Sequence, residues 1–163
     1  MPTTTYTPLA NTTLASAVSS ITFSSIPATY RDLIIVLQGG SSASQNVSLR
    51  LNADSGANYS CQFLAGNGSA ATATSATSQT GAFLTQTAQP TTTSSTQINI
   101  NIMDYSATNK HKTILSRAVN AALGTDAFVN RWANTAAVTS VTIFLSSGTL
   151  AIGTTVALYG IVS

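Results

Sequence analysis

Short runs in which apolar and polar residues alternate one for one recur along this sequence. The clearest is Ile-Asn-Ile-Asn-Ile at residues 98–102. Because successive side chains of a β-strand point to opposite faces, this run forms a strand with one buried face, whereas a helix would spread the isoleucines around its circumference. Residues 47–51, 141–145 and 156–161 follow the same pattern. Residues 33–37 are apolar throughout, which predicts a central strand covered on both faces.

Weaker strand candidates and turns fill the rest of the chain. The candidates are residues 20–23, 59–64, 82–87, 113–119 and 128–132. Clusters of Gly, Pro, Asn, Asp and Ser separate the runs at strand-length intervals. Roughly eight to ten short strands at this spacing predict an all-β sandwich or barrel. Residues 118–123 are the one segment that could form a short helix, and the Ser/Ala/Thr tract at 69–80 is predicted to be a long loop.

Charged residues are scarce. They make up 6% of the 163 residues, against about 25% in an ordinary globular domain, and Glu is absent. The net charge of +2 is too small for charge-driven binding of nucleic acid, and the apolar stretches fall short of the roughly 20 residues that span a bilayer. These two observations predict neither a nucleic-acid nor a membrane partner. The length of 163 residues fits one domain, so we expect a single domain at residues 1–163. An uncharged surface is cheap to bury, which favours packing against copies of the chain or a neighbouring protein.

The sequence offers few groups for catalysis or metal binding. His111 is the only histidine and Cys61 the only cysteine, so an intramolecular disulfide and a zinc site of three or four His and Cys ligands are excluded. His111 lies between two lysines, which indicates a solvated turn. We predict a non-enzymatic protein with no cofactor and no metal.

The carboxylates of the chain are Asp32, Asp54, Asp104 and Asp126. Nothing in the sequence places two of them across a sugar at the separation that a glycosidase requires. Asp32 directly follows Arg31, which predicts local pairing and protection of a strand edge. Residues 52–58 carry scattered oxygen ligands but lack the acidic spacing of a calcium loop, so a turn is predicted there.

A cluster of basic and aromatic residues is the nearest thing to a functional patch. Its members are Lys110, His111, Lys112, Arg117, Arg131 and Trp132. One interpretation is an interface to an acidic neighbouring protein, with Trp132 as the aromatic anchor that dominates interface energetics. The alternative is that the basic side chains are solvated loop charges while Trp132 fills the core of a sandwich.

Both ends of the chain resemble small structural domains of tailed-bacteriophage virions. The opening reads Tyr-Thr-Pro-Leu-Ala-Asn-Thr-Thr-Leu at residues 6–14, followed by Ile-Thr-Phe-Ser-Ser-Ile-Pro-Ala-Thr-Tyr-Arg-Asp-Leu-Ile-Ile-Val at 21–36. The close reads Gly-Thr-Leu-Ala-Ile-Gly-Thr-Thr-Val-Ala-Leu-Tyr-Gly-Ile at 148–161, and the virion domains tend to end on a similar Tyr-Gly-Ile tail. The resemblance implies an antiparallel β-sandwich of jelly-roll type, with residues 1–15 as an optional extended N-terminal arm.

The resemblance also implies a function. Such domains occur as capsid decoration, or cement, proteins, which bind the assembled major capsid protein and stabilise the shell. We expect a homo-oligomer, preferably a trimer, at the capsid surface after assembly in the host cytoplasm. The alternative is a tail or head fibre domain that binds host-surface glycan, since jelly rolls also serve as lectins. Sugar sites favour exposed Trp or Tyr, so the exposure of the one Trp and five Tyr helps to separate the two.

Overall fold

The computed structural model describes residues 5–162, and it confirms the predicted antiparallel β-sandwich. Within that range the strands number twelve, slightly above the eight to ten predicted. They are β1 (Tyr6–Thr13), β2 (Ser20–Phe23), β3 (Asp32–Gly39), β4 (Val47–Leu51), β5 (Tyr59–Gly66), β6 (Ala71–Gln79), β7 (Ala82–Phe83), β8 (Thr96–Met103), β9 (Lys112–Asn120), β10 (Gly124–Trp132), β11 (Val141–Leu145) and β12 (Thr155–Ile161).

The strands form two sheets whose pairing is nested. The large sheet has eight strands in the order β1-β12-β3-β8-β9-β10-β5-β6, and the small sheet has four in the order β2-β11-β4-β7. Early strands pair with late ones: β3 with β12 in the large sheet, β4 with β11 in the small sheet, and β5 with β10 in the large sheet again. A long two-stranded ribbon folded over between two sheets gives this pattern, which is the jelly-roll arrangement. The β8–β9 hairpin is inserted between β3 and β10.

The inner faces of the two sheets share one apolar core. Its fully buried members include Leu33, Ile35 and Leu37 of β3, Ile98, Ile100 and Ile102 of β8, Val47, Leu49 and Leu51 of β4, and Val141 and Ile143 of β11. Burying each such side chain is worth about 1.5–3 kcal/mol relative to leaving it in water. The strand β3 is central, as predicted, but only one of its faces is fully covered. Ile34 and Val36 are half-buried on the outer face, because no second layer lies on that side.

The Ser/Ala/Thr tract is a strand, so the predicted loop at residues 69–80 is wrong. The strand β6 pairs antiparallel with β5, from Ala71 opposite Gly66 to Gln79 opposite Tyr59, with a bulge near Ser78, whose φ is 56°. Most of its side chains are exposed. Backbone hydrogen bonds and the β-propensity of Thr hold this strand rather than apolar burial, which explains why hydrophobic patterning gives no signal for it.

The structure also decides the predictions for residues 118–123 and for the N-terminal arm. Strand β9 continues to Asn120 and a turn follows, so the segment 118–123 is not a helix. In the proposed N-terminal arm, Tyr6–Thr13 forms β1 and pairs with β12 at the edge of the large sheet, while residues 1–4 lie outside the described range. No helix in residues 5–162 has the length and apolar character needed to cross a membrane.

The Tyr-Gly-Ile tail has a packing reason for its glycine. A Cβ atom on Gly160 would lie 2.4–2.6 Å from three ring atoms of Tyr30, so the ring lies directly against the backbone of β12. The Tyr30 backbone N–H donates to Tyr105 Oη at 3.3 Å, and that hydroxyl donates to the Pro27 carbonyl. These contacts fasten the segment before β3 across the final strand.

Candidate functional site

Trp132 belongs to the core, so the prediction that it anchors an exposed interface is wrong. Its side chain lies on the inner face of β10 and is 1% exposed. The indole Nε1–H donates to Asp54 Oδ2 at 2.7 Å, and the ring stacks on Tyr59 with centroids 6.4 Å apart. The alternative interpretation of Trp132, as a core residue, is therefore the correct one.

Lys112 is also turned inward, which removes it from the predicted interface. It lies opposite Trp132 in the β9–β10 ladder and is fully buried. Its ammonium donates to the carbonyl oxygens of Lys110 at 3.0 Å and Thr135 at 3.2 Å. Burial, reinforced by the nearby charge of Lys110, lowers the pKa of Lys112. Because strand alternation sends residue 112 to the core side, its charge serves the fold and not a partner.

The other predicted interface residues are exposed, but they do not form one cluster with Trp132. Lys110 lies in the β8–β9 turn and pairs with Asp104 at 3.0 Å. His111 is exposed beside the start of β9, as the solvated-turn prediction requires. Arg131 is exposed on the outer face of β10, opposite Thr113 of β9.

Asp32, Asp54 and Asp126 accept hydrogen bonds that join separate parts of the fold, whereas Asp104 forms an exposed ion pair with Lys110. Asp126 accepts the backbone N–H groups of Gln86, Thr87 and Ala88 at 2.7–3.1 Å. Asp32 pairs with Arg31 at 2.8 Å, as predicted, and also accepts the Asp104 backbone N–H at 2.8 Å. Strand β3 lies inside the sheet, so the predicted edge-protecting role of Asp32 is wrong. Within residues 5–162, no three His, Cys, Asp or Glu side chains come together as a metal site.

The turn predicted at residues 52–58 is present and is held by Asp54. Burial alone would raise the pKa of Asp54, but hydrogen bonds from Trp132, Asn58 and the Gly56 backbone lower it overall. Asn52 and Ala53 adopt the left-handed conformation at φ 52° and 55°. The carboxylate therefore joins this turn to the indole of the core.

The outer face of the large sheet carries an exposed apolar surface that motif reasoning missed. We call it the outer apolar face; its members are Leu64 (63% exposed), Val129 (55%), Val119 (44%), Met103 (43%) and Leu115 (37%), together with the exposed Arg117 and Arg131. Val129 lies opposite both Leu115 and Gln62, and Leu64 lies opposite Ala127, so these side chains adjoin across β9, β10 and β5. Met103 lies opposite Thr113, and Val119 lies opposite Thr125, so these two members are set apart from the others by polar side chains. Within residues 5–162 the ion pairs are Arg31–Asp32 and Lys110–Asp104, which leaves both arginines able to pair with a partner.

Small residues make part of this face concave. Ala73 of β6 and Ala127 of β10 lie on either side of Leu64, and two adjoining depressions of about 580 and 600 Å³ open there. Arg117 lines the second depression. The face thus combines projecting aliphatic side chains, a shallow groove and two guanidinium groups. Such a face is better suited to bind the surface of another protein than to bind a small polar substrate.

A sequence signal for the outer apolar face does exist. Within its strands, apolar residues occur in adjacent pairs: Phe63-Leu64, Ile102-Met103, Ile114-Leu115 and Phe128-Val129. Strand alternation sends the first member of each pair inward and the second outward. Such pairs therefore indicate a second apolar surface in addition to the core.

Comparisons with known proteins assign neither a family nor a function to this chain. No protein-family model matches this sequence, and no curated protein matches it. Among solved structures, the exo-inulinase from Aspergillus awamori aligns with a TM-score of 0.48 and 11% identity, covering 96% of this chain and 29% of the inulinase chain. A protein of unknown function from Shewanella oneidensis MR-1 aligns over 96% of this chain and 79% of its own, with a TM-score of 0.23 and 10% identity. The chain therefore spans under a third of the length of the inulinase that it is similar to.

Proposed function

We propose that this chain is a non-enzymatic structural protein of a virus particle, a capsid decoration protein that binds the major capsid protein through the outer apolar face. The observation that carries the proposal is that five large apolar side chains on one sheet face are exposed beside Arg117 and Arg131, which form no ion pair within residues 5–162. Leu115, Val129, Ala127 and Leu64 adjoin on this face, and adjoining exposed apolar side chains mark sites where another protein binds. The viral setting rests on the resemblance of the two chain ends to phage virion domains.

The chemistry of the face favours a protein partner. Burying Leu64 and Val129 against a neighbour removes apolar area from water at about 25 cal/mol per Å². Few charges have to be desolvated, because the face carries Arg117 and Arg131 and no carboxylate among its members. Arginine is enriched in interface hot spots, where it pairs with acidic groups of the partner. A capsid shell with an acidic, partly apolar surface would match this face.

Many weak contacts would produce the stabilising effect. A protein that binds the assembled shell but not its dissociated subunits stabilises the shell by mass action. Repetition over a symmetric shell adds avidity, so each copy can bind with modest affinity. The homo-oligomer expected from the sequence would add to that avidity, whatever number of copies it contains.

The glycan-binding alternative has less support in the aromatic side chains. Sugars stack on exposed rings, but Trp132, Tyr59 and Tyr105 are all buried in the core. Tyr6, on the edge strand β1, is the strongly exposed ring among the described Trp and Tyr residues, at 55%. We therefore keep glycan binding as an outcome of the test and not as a second proposal.

The test compares variants of the outer apolar face on particles that lack the protein. Purified chain added back should bind saturably and raise the temperature at which the particles open. Val129→Asp should weaken binding at least about tenfold, since a charge then has to be buried in an apolar contact. Ile152→Asp is the matched control, because Ile152 is 69% exposed but lies in the turn before β12.

Two results would contradict the proposal. One is equal binding by the Val129→Asp and wild-type proteins. The other is a set of depleted particles that are as heat-stable as complete ones but do not adsorb to host cells, which would favour the fibre alternative.

A further inference from the structure

The two sheets have four edge strands, and three of them are poor templates for pairing with another chain. Strand β1 contains Pro8, which has no backbone N–H to donate, and a bulge between Pro8 and Ala10. Strands β2 and β7 are only four and two residues long. Short strands, prolines and bulges are the usual devices by which proteins prevent edge-to-edge association.

The fourth edge, β6, carries none of these devices over most of its length. It has nine residues, no proline and no charge, and its bulge lies near its end, beyond Ala76. Alternate residues direct their N–H and C=O groups to β5, so the intervening residues direct theirs away from the sheet. Small side chains, exposed on both faces from Ala71 to Ser75, leave room for another strand to approach.

We propose that β6 pairs antiparallel with β6 of a second copy of this chain, about a two-fold axis through Thr74. In this register residues 71–77 of the two strands overlap fully, Thr74 lies opposite Thr74, and Ala73 lies opposite Ser75. Because an even register pairs residues of the same face, the two large sheets join into one and their outer apolar faces lie on the same side. Thr–Thr pairs across strands are favourable.

The charge distribution argues for a second copy as the occupant. Residues 55–103 contain no charged side chain. When two identical strands pair, any charged residue near the two-fold axis would face a like charge, and β6 has none. The contact is about 23 Å long, for seven residues at about 3.3 Å each. A contact along one pair of strands buries less surface area than the interfaces of stable dimers. We therefore expect a weak dimer that forms at high concentration or where copies are crowded on a surface. The inference does not depend on the proposed function.

The experiment measures the molar mass of the whole chain by light scattering from about 10 to about 500 µM, a range suited to a weak contact. We expect the mass to rise from that of one chain, 16.7 kDa, toward that of two. Thr74→Lys places like charges directly opposite each other and should abolish the rise. Thr13→Lys, an exposed threonine on the β1 edge, is the matched control and should leave the rise unchanged.

Hydrogen exchange on the wild-type protein keeps the test valid if the Thr74→Lys protein does not fold. Amides of residues 71–77 should become more protected as concentration rises, while those of β1 do not. A mass that stays at one chain at the highest concentration would overturn the proposal. So would a trimer, or a rise that Thr74→Lys leaves unchanged with its circular dichroism intact.

Discussion

Asp126 provides the sharpest test of how the large sheet holds the segment that follows β7. Its buried carboxylate accepts three consecutive backbone N–H groups, from Gln86, Thr87 and Ala88, at 2.7–3.1 Å. Asp126→Ala would leave these amides without their acceptor. At about 1–2 kcal/mol for each unpaired amide, the expected loss is about 3–6 kcal/mol. That is a large part of the 5–15 kcal/mol by which a typical domain is stable.

The assay is urea denaturation at neutral pH with fluorescence of the buried Trp132 as the probe. Asp126→Asn should lose less than Asp126→Ala, because Oδ2 alone accepts all three N–H groups and an amide oxygen at that position can still accept them. Thr125→Ala, at the exposed neighbouring position on the same strand, should change the free energy of unfolding by less than about 0.5 kcal/mol. Hydrogen exchange should show lost protection at residues 86–88 in the Asp126→Ala protein. A loss below about 1 kcal/mol would refute the argument that these three bonds hold the segment.

Three further predictions concern single side chains. Gly160→Ala should lower the free energy of unfolding by about 1–3 kcal/mol because the new Cβ meets the Tyr30 ring; denaturation should show partial recovery with Tyr30→Ser added, and a fully stable Gly160→Ala protein would contradict the close approach. Burial raises the pKa of Tyr59 to about 12 from its ordinary 10.0, so stability is fully present below pH 10 and falls as pH rises toward 12; a Tyr59→Phe protein that loses stability as steeply would argue against it. His111→Ala should change stability by less than about 0.5 kcal/mol, and a loss above about 2 kcal/mol in the same assay would indicate a buried, partnered imidazole.

Much of the fold could be predicted from the sequence because apolar periodicity reports burial directly. The isoleucines of residues 98–102 and the runs at 47–51 and 141–145 all lie in strands, and their apolar side chains are in the core except that of Phe144, which is half-buried on the other face of β11. Strand β6 could not be found in this way, since its pairing depends on backbone groups that every residue carries. The sequence pattern also gave no information about which distant strands pair with each other. Asp54 and Trp132 are 78 positions apart in the sequence, and nothing in the sequence indicates that the carboxylate and the indole share a hydrogen bond.

The candidate site was predicted less well than the fold. The basic residues were grouped by closeness in sequence, but strand alternation sends Lys112 inward and Arg131 outward, although β9 and β10 are neighbours. Trp132 could not be assigned to core or surface without knowing what lies opposite it. The adjacent apolar pairs, such as Phe128-Val129, held the missing information: an apolar residue on each side of a strand indicates two surfaces that exclude water.

The nested pairing of the jelly roll has a consequence for how this chain folds during its synthesis. Leu33 lies opposite Gly160 and Ile35 opposite Leu158. More than a hundred further residues must therefore be synthesised after β3 before β12, one of its two neighbouring strands, emerges from the ribosome. At about 5–20 residues per second, this leaves an apolar strand without one neighbour for roughly 6–25 seconds. Contacts so far apart in sequence also make folding slow. The nascent chain is therefore most exposed to aggregation just before β12 is complete, and slower translation of the last strands should lower the yield of folded protein.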